Sequence, residues 1–384
     1  MTNATGNKGP ITSVREFAAE LIRRYQPSGG LRLRLAEIEV ALVSNDAPHL
    51  RDLEAYFGEL VVDAGSREPA TEIVVLEAPS LELSGLDLKV RPPEPGKTSI
   101  KEAYIDLADG RIIRKLKTGV VFLVGEGVHL AIGPCRRHPN QVVNFVNNRF
   151  IERRMREGWL LCHAAAIAKG SRGLVLAGFS GMGKSTLALH LMEHGLDYVS
   201  NDRLLIRGAP AGSHVAAGEC ELASCGVPKL PRINPGTALS ISRLRSIVPE
   251  ERRLRYDELS VGELWKIEEK YDVDVDAVYG RGRIRLMAPV QTLMILNWKR
   301  DAGACEIVPI DLRERPELLA VVMKTAGLFY EECEGSLPAE PEPARYLELL
   351  RGFHVVELRG GVDFEAAVAY GRERLGDLGP LVLA

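Results

Sequence analysis

No run of the 384 residues reaches the roughly 18 uninterrupted apolar positions that a membrane-spanning helix needs. The opening residues, Met1 to Lys8, are polar and lack the charged-then-apolar order of a secretory leader, so the cytoplasm is the expected compartment. Neither sign of charge dominates. With 49 basic against 52 acidic side chains the net charge is −3, which offers no electrostatic footprint for nucleic acid or an anionic membrane. Cysteine is scarce: the six, at 135, 162, 220, 225, 305 and 333, are too few and too scattered for a disulfide framework in a chain this long. Only Cys220 and Cys225 are close together, and His214 is the sole further soft ligand near them, so ordinary reduced thiols are expected rather than zinc.

What is present is the composition of a globular protein, 46% hydrophobic and 26% charged, in a chain longer than one ordinary domain. A first helix is expected over Val14 to Tyr25, where Phe17, Leu21 and Ile22 recur at helical spacing. From Leu31 to Gly133 the pattern turns short and alternating, with strands expected at Leu31–Arg34, Ile38–Ser44, Thr71–Leu76, Tyr104–Leu107, Arg111–Leu116 and Val120–Val124. Asp109-Gly110 reads as a hairpin turn, and Arg91-Pro92-Pro93-Glu94-Pro95-Gly96 as a loop. Between Pro139 and Gly158, Val142, Phe145, Val146, Phe150, Ile151 and Met155 mark an amphipathic helix whose arginines, Arg149, Arg153, Arg154 and Arg156, read as a solvated face or a phosphate or partner contact. Strands are expected at Leu160–Ala168, Gly173–Gly178, Tyr198–Ser200, Arg283–Leu286, Thr292–Trp298 and Val355–Leu358. Helices are expected at Lys184–His194, at Pro316–Gly327 and from Phe364, with a surface loop at Glu334–Ala344.

The chemistry concentrates in Gly178-Phe179-Ser180-Gly181-Met182-Gly183-Lys184-Ser185-Thr186, a complete phosphate-binding loop between an apolar strand and a helix. Its glycines let backbone N–H groups turn inward around a polyphosphate at the positive end of the helix. In such a loop Lys184 holds the β and γ phosphates and the Ser185 hydroxyl ligates magnesium, so ATP and Mg2+ are the expected ligands. A metal-holding carboxylate is also needed, and Asp202 stands only 18 residues after Lys184, a shorter interval than in most proteins with this loop.

With His163-Ala164-Ala165-Ala166 ahead of the loop, Gly195 after its helix and Asn201-Asp202 closing the next strand, residues 160 to 207 resemble the HPr kinase group, whose nucleotide core is shared with phosphoenolpyruvate carboxykinases. The likeness is nearer to the HPr-kinase-related kinases of the B type than to HPr kinase/phosphorylase proper. It implies an α/β (α+β) two-domain protein: a β-rich N-terminal domain over 1–138, a linking helix over 139–158, and a kinase domain of HPr kinase and carboxykinase type over 159–384. It implies a metal-linked Asp202, which is also the best remaining base candidate, and a His163 beside the phosphates. Asn201 stands where that group has an aspartate assigned as proton acceptor, and an asparagine cannot be a general base. Thr186 replaces a glutamate, and the group's downstream arginine- and glycine-rich signature is missing, which puts phosphorolysis and the substrate HPr in doubt.

Further along, Lys229 and Arg232 in a proline-stiffened segment read either as cations brought to the transferring phosphoryl or as a solvated loop. Arg281, Arg283 and Arg285 alternate, lining a cleft or an exposed sheet face. Asp272, Asp274 and Asp276 alternate too, as a polar strand face or a second metal site. The expected activity is ATP- and magnesium-dependent phosphoryl transfer to a hydroxyl of a small partner protein, with Lys184, Asp202 and His163 catalytic and homo-oligomers possible. A small-metabolite acceptor, or a nucleotide-governed binding module, are the alternatives.

Overall fold

The computed structural model describes residues 11–63, 68–83, 85–93, 99–209, 220–300 and 302–376. Expectations placed on residues 1–10, on 94–96 of the proline-rich loop and on His214 lie outside them. The protein is mixed α/β with several sheets, and no described helix is long and apolar enough to cross a membrane. Two compact units divide the chain, Met1–Arg153 with Ala326–Ala339, and Arg154–Thr325 with Glu340–Ala384.

In the first unit nine described strands form one sheet, in the order Val61–Val62, Gly29–Leu35, Ile38–Ser44, Thr71–Glu77, Val128–Gly133, Val121–Gly125, Gly110–Lys115, Glu102–Leu107 and Lys89–Val90. Helix Val14–Tyr25 lays Val14, Phe17, Ala18 and Leu21 on Leu76, Ile112, Leu123 and Leu130 of that sheet. The hairpin turn falls one residue earlier than its sequence suggests, because Leu107 pairs with Gly110 and leaves Ala108-Asp109 as the loop. That shift frees the Asp109 carboxylate to accept from the backbone N–H of Val14 (2.8 Å) and Arg15 (3.0 Å), two donors that the start of a helix leaves without partners. A helix over Ala47–Phe57 had not been expected, although Asp46 before it caps the His49 N–H at 2.7 Å. The segment Ala326–Ala339 joins this unit through Phe329, whose ring lies 5.1 Å from that of Phe122 and 5.8 Å from that of Phe145. Arg111 adds a hydrogen bond of 2.7 Å to the Leu328 carbonyl.

The arginines of the helix Pro139–Arg156 divide into two kinds. Arg153 and Arg156 are exposed, whereas Arg149 and Arg154 are buried, so a uniformly solvated face is corrected. Each buried guanidinium has a carboxylate three residues on, Glu152 for Arg149 and Glu157 for Arg154, which is what makes burying the charge tolerable.

In the second unit a six-stranded sheet runs Asp197–Ser200, Ala164–Lys169, Arg172–Gly178, Thr292–Leu296, His354–Gly360 and Cys305–Pro309. Its middle strands, Arg172–Gly178, Thr292–Leu296 and His354–Gly360, are parallel. A four-stranded sheet adds Leu160–Cys162, Leu204–Gly208, Leu222–Gly226 and Met287–Val290. The expected single strand over 160–168 is therefore two strands in different sheets, broken at His163. The expected helix over 316–327 is only a 3-10 turn, Pro316–Val321. Beyond it the backbone is claimed by the strand Leu160–Cys162, with Met323 bridged to Cys162 and the Val322 carbonyl accepting from His163.

Two alternating patterns also fold otherwise than as strands. Gly280 and Gly282 adopt positive φ (+93° and +75°), so Arg281 lies in a turn, while Arg283 and Arg285 flank an isolated parallel bridge of Ile284 to Tyr198. Arg283 donates to the Leu196 carbonyl at 2.6 Å and Arg285 to Met287 at 3.1 Å, which ties them to neighbouring backbone. Asp272, Asp274 and Asp276 do not share one extended face, because Asp274 caps the helix Val275–Tyr279 by accepting from the Ala277 N–H at 3.0 Å, while Asp272 pairs with Arg232 at 2.8 Å. Among the described residues no group of three or more His, Cys, Asp or Glu is placed to hold a metal.

His49 in the first unit is 0% exposed, and neither ring nitrogen has a hydrogen-bond partner among the described residues. Burial lowers its pKa below 6.5, helped by Arg136 and opposed by Asp46 and Asp52. The unfolded chain therefore takes up a proton at His49 that the folded chain refuses, and stability falls as pH drops below 6.5. The stability difference between wild type and His49→Leu, followed by urea unfolding from pH 7 to 5, should shift toward the variant by at most about 1.4 kcal/mol per pH unit. A difference independent of pH contradicts this.

Candidate functional site

Three stretches meet at one end of the six-stranded sheet for reasons of register. Ala164 pairs with Ala177, which sets His163 at the level of Gly178 where the strand Arg172–Gly178 ends. Ala166 pairs with Ser200, so Asn201 and Asp202 emerge at the same end. Leu296 pairs with Gly178 from the other side and delivers Trp298.

The loop itself is shaped by close approach and by positive φ. Gly181 and Gly183 have φ of +85° and +91°, where L side chains are strained, and a Cβ on Gly183 would stand 2.7 Å from the Phe364 ring. Trp298 packs edge-on against Phe364 at 5.1 Å, and its indole N–H donates to the Met182 carbonyl at 2.9 Å, which pins the loop from below. Lys184 opens the helix Lys184–Glu193 and folds back, its Nζ donating to the carbonyls of Gly178 (2.7 Å) and Phe179 (3.3 Å). Ser180 is exposed and Ser185 half-buried on the first turn. Thr186, in contrast, is buried, with its hydroxyl bonded to that of Thr237 at 2.7 Å, so it braces the helix rather than facing the loop.

Asp202 is the centre of charge. Its Oδ1 lies 3.4 Å from His163 Nε2, and its Oδ2 lies 3.9 Å from Arg203 Nε and 4.0 Å from Lys324 Nζ. Burial alone would raise this carboxyl, but the His163 hydrogen bond and the charges of Lys324 and Arg203 outweigh it and hold it well below the usual carboxylate range. Asn201 beside it keeps its Oδ1 buried without a hydrogen-bond partner among the described residues. Lys229 is half-buried; its ammonium is pushed down by burial and by Arg203, against the pull of Asp202, and its carbonyl accepts from the Tyr198 hydroxyl at 2.8 Å. Arg232 is exposed and committed to Asp272. Lys270, unnoticed in the sequence, also feels Asp202, its pKa lowered mainly by burial.

Lys324 gives no sequence signal for the site, because it lies 122 positions after Asp202 in a stretch whose spacing reads as helix. Trp298 and Phe364 carry only strand and helix signals in the sequence, because the packing that makes them supports of the loop is tertiary.

Chemically, the site offers a glycine backbone at positive φ, a buried ammonium, a hydroxyl on a helix's first turn, and a carboxylate kept ionised beside an imidazole. That set suits a polyphosphate, and its one hydroxyl and one carboxylate suit a magnesium ion that brings waters and phosphate oxygens of its own. No family model matches the chain, and no curated protein does. Among solved structures it is similar to the Hpr(Ser) kinase/phosphatase from Coxiella burnetii, at 11% identity and a TM-score of 0.25, over 56% of this chain and 93% of that one. A score that low carries nothing about reaction or substrate.

Burial, aided by Lys324 and opposed by Asp202, brings the Lys184 ammonium down to about 8. Lys184 is charged below that value and loses its proton above it, so a bound polyanion must recover the proton. Affinity for ADP, measured by calorimetry, should weaken by up to about tenfold per pH unit above pH 8, and Lys184→Arg should flatten the dependence. An affinity constant from pH 7 to 9.5 contradicts the placement of this charge.

Proposed function

We propose that the second unit is an ATP- and magnesium-dependent kinase that transfers the γ-phosphoryl group to a hydroxyl, the acceptor being a serine or threonine of a small partner protein. The observation that carries the reading is the buried Lys184 under a glycine-turned loop, within the electrostatic reach of an Asp202 kept ionised by His163, Lys324 and Arg203. Phosphoryl transfer needs little covalent chemistry from a protein. Position and charge stabilisation suffice.

Each residue then has a task. Lys184 and the loop N–H groups hold the β and γ phosphates, while Ser185 and Asp202 hold magnesium, which when bound offsets charge on the phosphates. As the acceptor oxygen bonds to the γ phosphorus and the bond to the β–γ bridging oxygen breaks, the acceptor's proton must leave. Asn201 cannot take it. Asp202, held far on the acidic side, is a better metal ligand than base, which leaves His163 as the group to receive the proton, oriented by its contact with Asp202 Oδ1. The likeness of residues 160 to 207 to the HPr-kinase-related kinases supports a metal-linked Asp202 and a His163 beside the phosphates. The first unit, in this reading, binds the partner.

A transfer-poor, nucleotide-governed binding module is the second reading, favoured by Asn201 standing where a base would serve. Incubating γ-labelled ATP with the protein and an extract of its own cell separates the two. A labelled protein band that falls by about 100-fold or more in both Lys184→Ala and Asp202→Asn is expected. Tight nucleotide binding with no label on any protein or metabolite would favour the module, and label unchanged in both variants would sink the kinase.

A further inference from the structure

Lys324 reaches the site by a route of its own. The segment Val322–Lys324 pairs with the end of the strand Leu160–Cys162: Met323 bridges Cys162, His163 N–H donates to the Val322 carbonyl at 2.8 Å, and Lys324 N–H donates to the Leu161 carbonyl at 3.2 Å. One short ladder thus fixes the backbones of both His163 and Lys324. Their side chains bracket the same carboxylate, His163 on Asp202 Oδ1 and Lys324 on Oδ2. A partly exposed ion pair at 4.0 Å contributes little to stability. The lysine's charge also works against the other ammonium of the site: Lys324 disfavours the charged form of Lys184. Two ammonium groups within electrostatic reach of one carboxylate are relieved by an incoming anion.

We propose that Lys324 is a second phosphoryl-binding cation, which shares the group in transfer with Lys184 and acts when negative charge spreads over that group's equatorial oxygens. This rests on the kinase reading and names a residue which that reading does not require. Lys184 belongs to the nucleotide whether or not transfer occurs. Lys324, anchored on the ladder that also carries the proton acceptor, is tuned to the transferring group. Asp202 holds the lysine toward the site, and magnesium on Asp202 would release the ammonium to the phosphoryl oxygens.

Binding isolates the effect without an identified acceptor. The affinity of the full chain for MgADP is measured alone and with fluoroaluminate, a mimic of the phosphoryl group in flight. Wild type should bind MgADP at least about tenfold tighter with fluoroaluminate. Lys324→Met should abolish most of that gain, read as the ratio of the two affinities of the same variant, and Lys324→Arg, which keeps the charge, should restore part of it. The proposal falls if Lys324→Met keeps the full gain or if wild type shows no gain at all. Failure of wild type to bind MgADP under any condition would instead bring down the kinase reading beneath it. Circular dichroism of each variant separates loss of fold from loss of charge, and a misfolded Lys324→Met is replaced by Lys324→Gln in the same comparison.

Discussion

Lys184 is 8% exposed, and on that burial the arrangement of the second unit depends. A buried cation must find compensation. Two loop carbonyls, those of Gly178 and Phe179, supply part of it by closing the loop over the lysine. Asp202 supplies another part through its charge, and that charge persists because His163, Lys324 and Arg203 surround the carboxylate. The rest is missing in the protein alone: burial still depresses the lysine, and a polyanion is the ligand that would restore it. Trp298, Phe364 and Thr237 are the apolar and hydroxyl supports that keep the loop and the first turn of its helix in the geometry this requires.

Contiguous features were legible in the sequence. The loop, its helix and the nearby Asp202 all fall within residues 178 to 202, where spacing alone carries the geometry. The helix Val14–Tyr25 and the strand Ile38–Ser44 showed themselves in the same way, through unbroken periodicity. Failures came where a local pattern met a stronger partner. The apolar run at 160–168 looks continuous, yet two sheets compete for it, and the chain changes sheet at His163. The stretch after Val321 has helical spacing, but the strand Leu160–Cys162 takes its backbone hydrogen bonds. Asp274 alternates with its neighbours as a strand residue would, and cap chemistry prevailed over periodicity. Lys324 and Lys270 had no signal at all, because only tertiary folding brings them to Asp202.

Charge in the site is organised by segments far apart in sequence, with Lys184 on a helix, Asp202 after an edge strand, Lys229 on a proline-bounded loop and Lys324 on a backbone ladder. The ammonium of Lys184 and the backbones of Lys229 and Lys324 are held by hydrogen bonds to main-chain carbonyls. Such positioning lets the charges remain close without an anion and respond when one arrives. Asn201 departs from this logic, since it brings a buried amide oxygen but no base beside the carboxylate. The proton accordingly falls to His163 in the mechanism proposed.

The central claim is that the loop at residues 178–186 closes on the phosphates of a nucleotide with Asp202 across from it. Amide hydrogen exchange of the whole protein, with and without MgATP, tests this most directly. Slowed exchange in Ser180 to Thr186 together with the stretch Ser200 to Arg203, and little change across the first unit's sheet, is the predicted result. Unaltered exchange in the loop at saturating MgATP, or protection confined to other regions, would contradict the account.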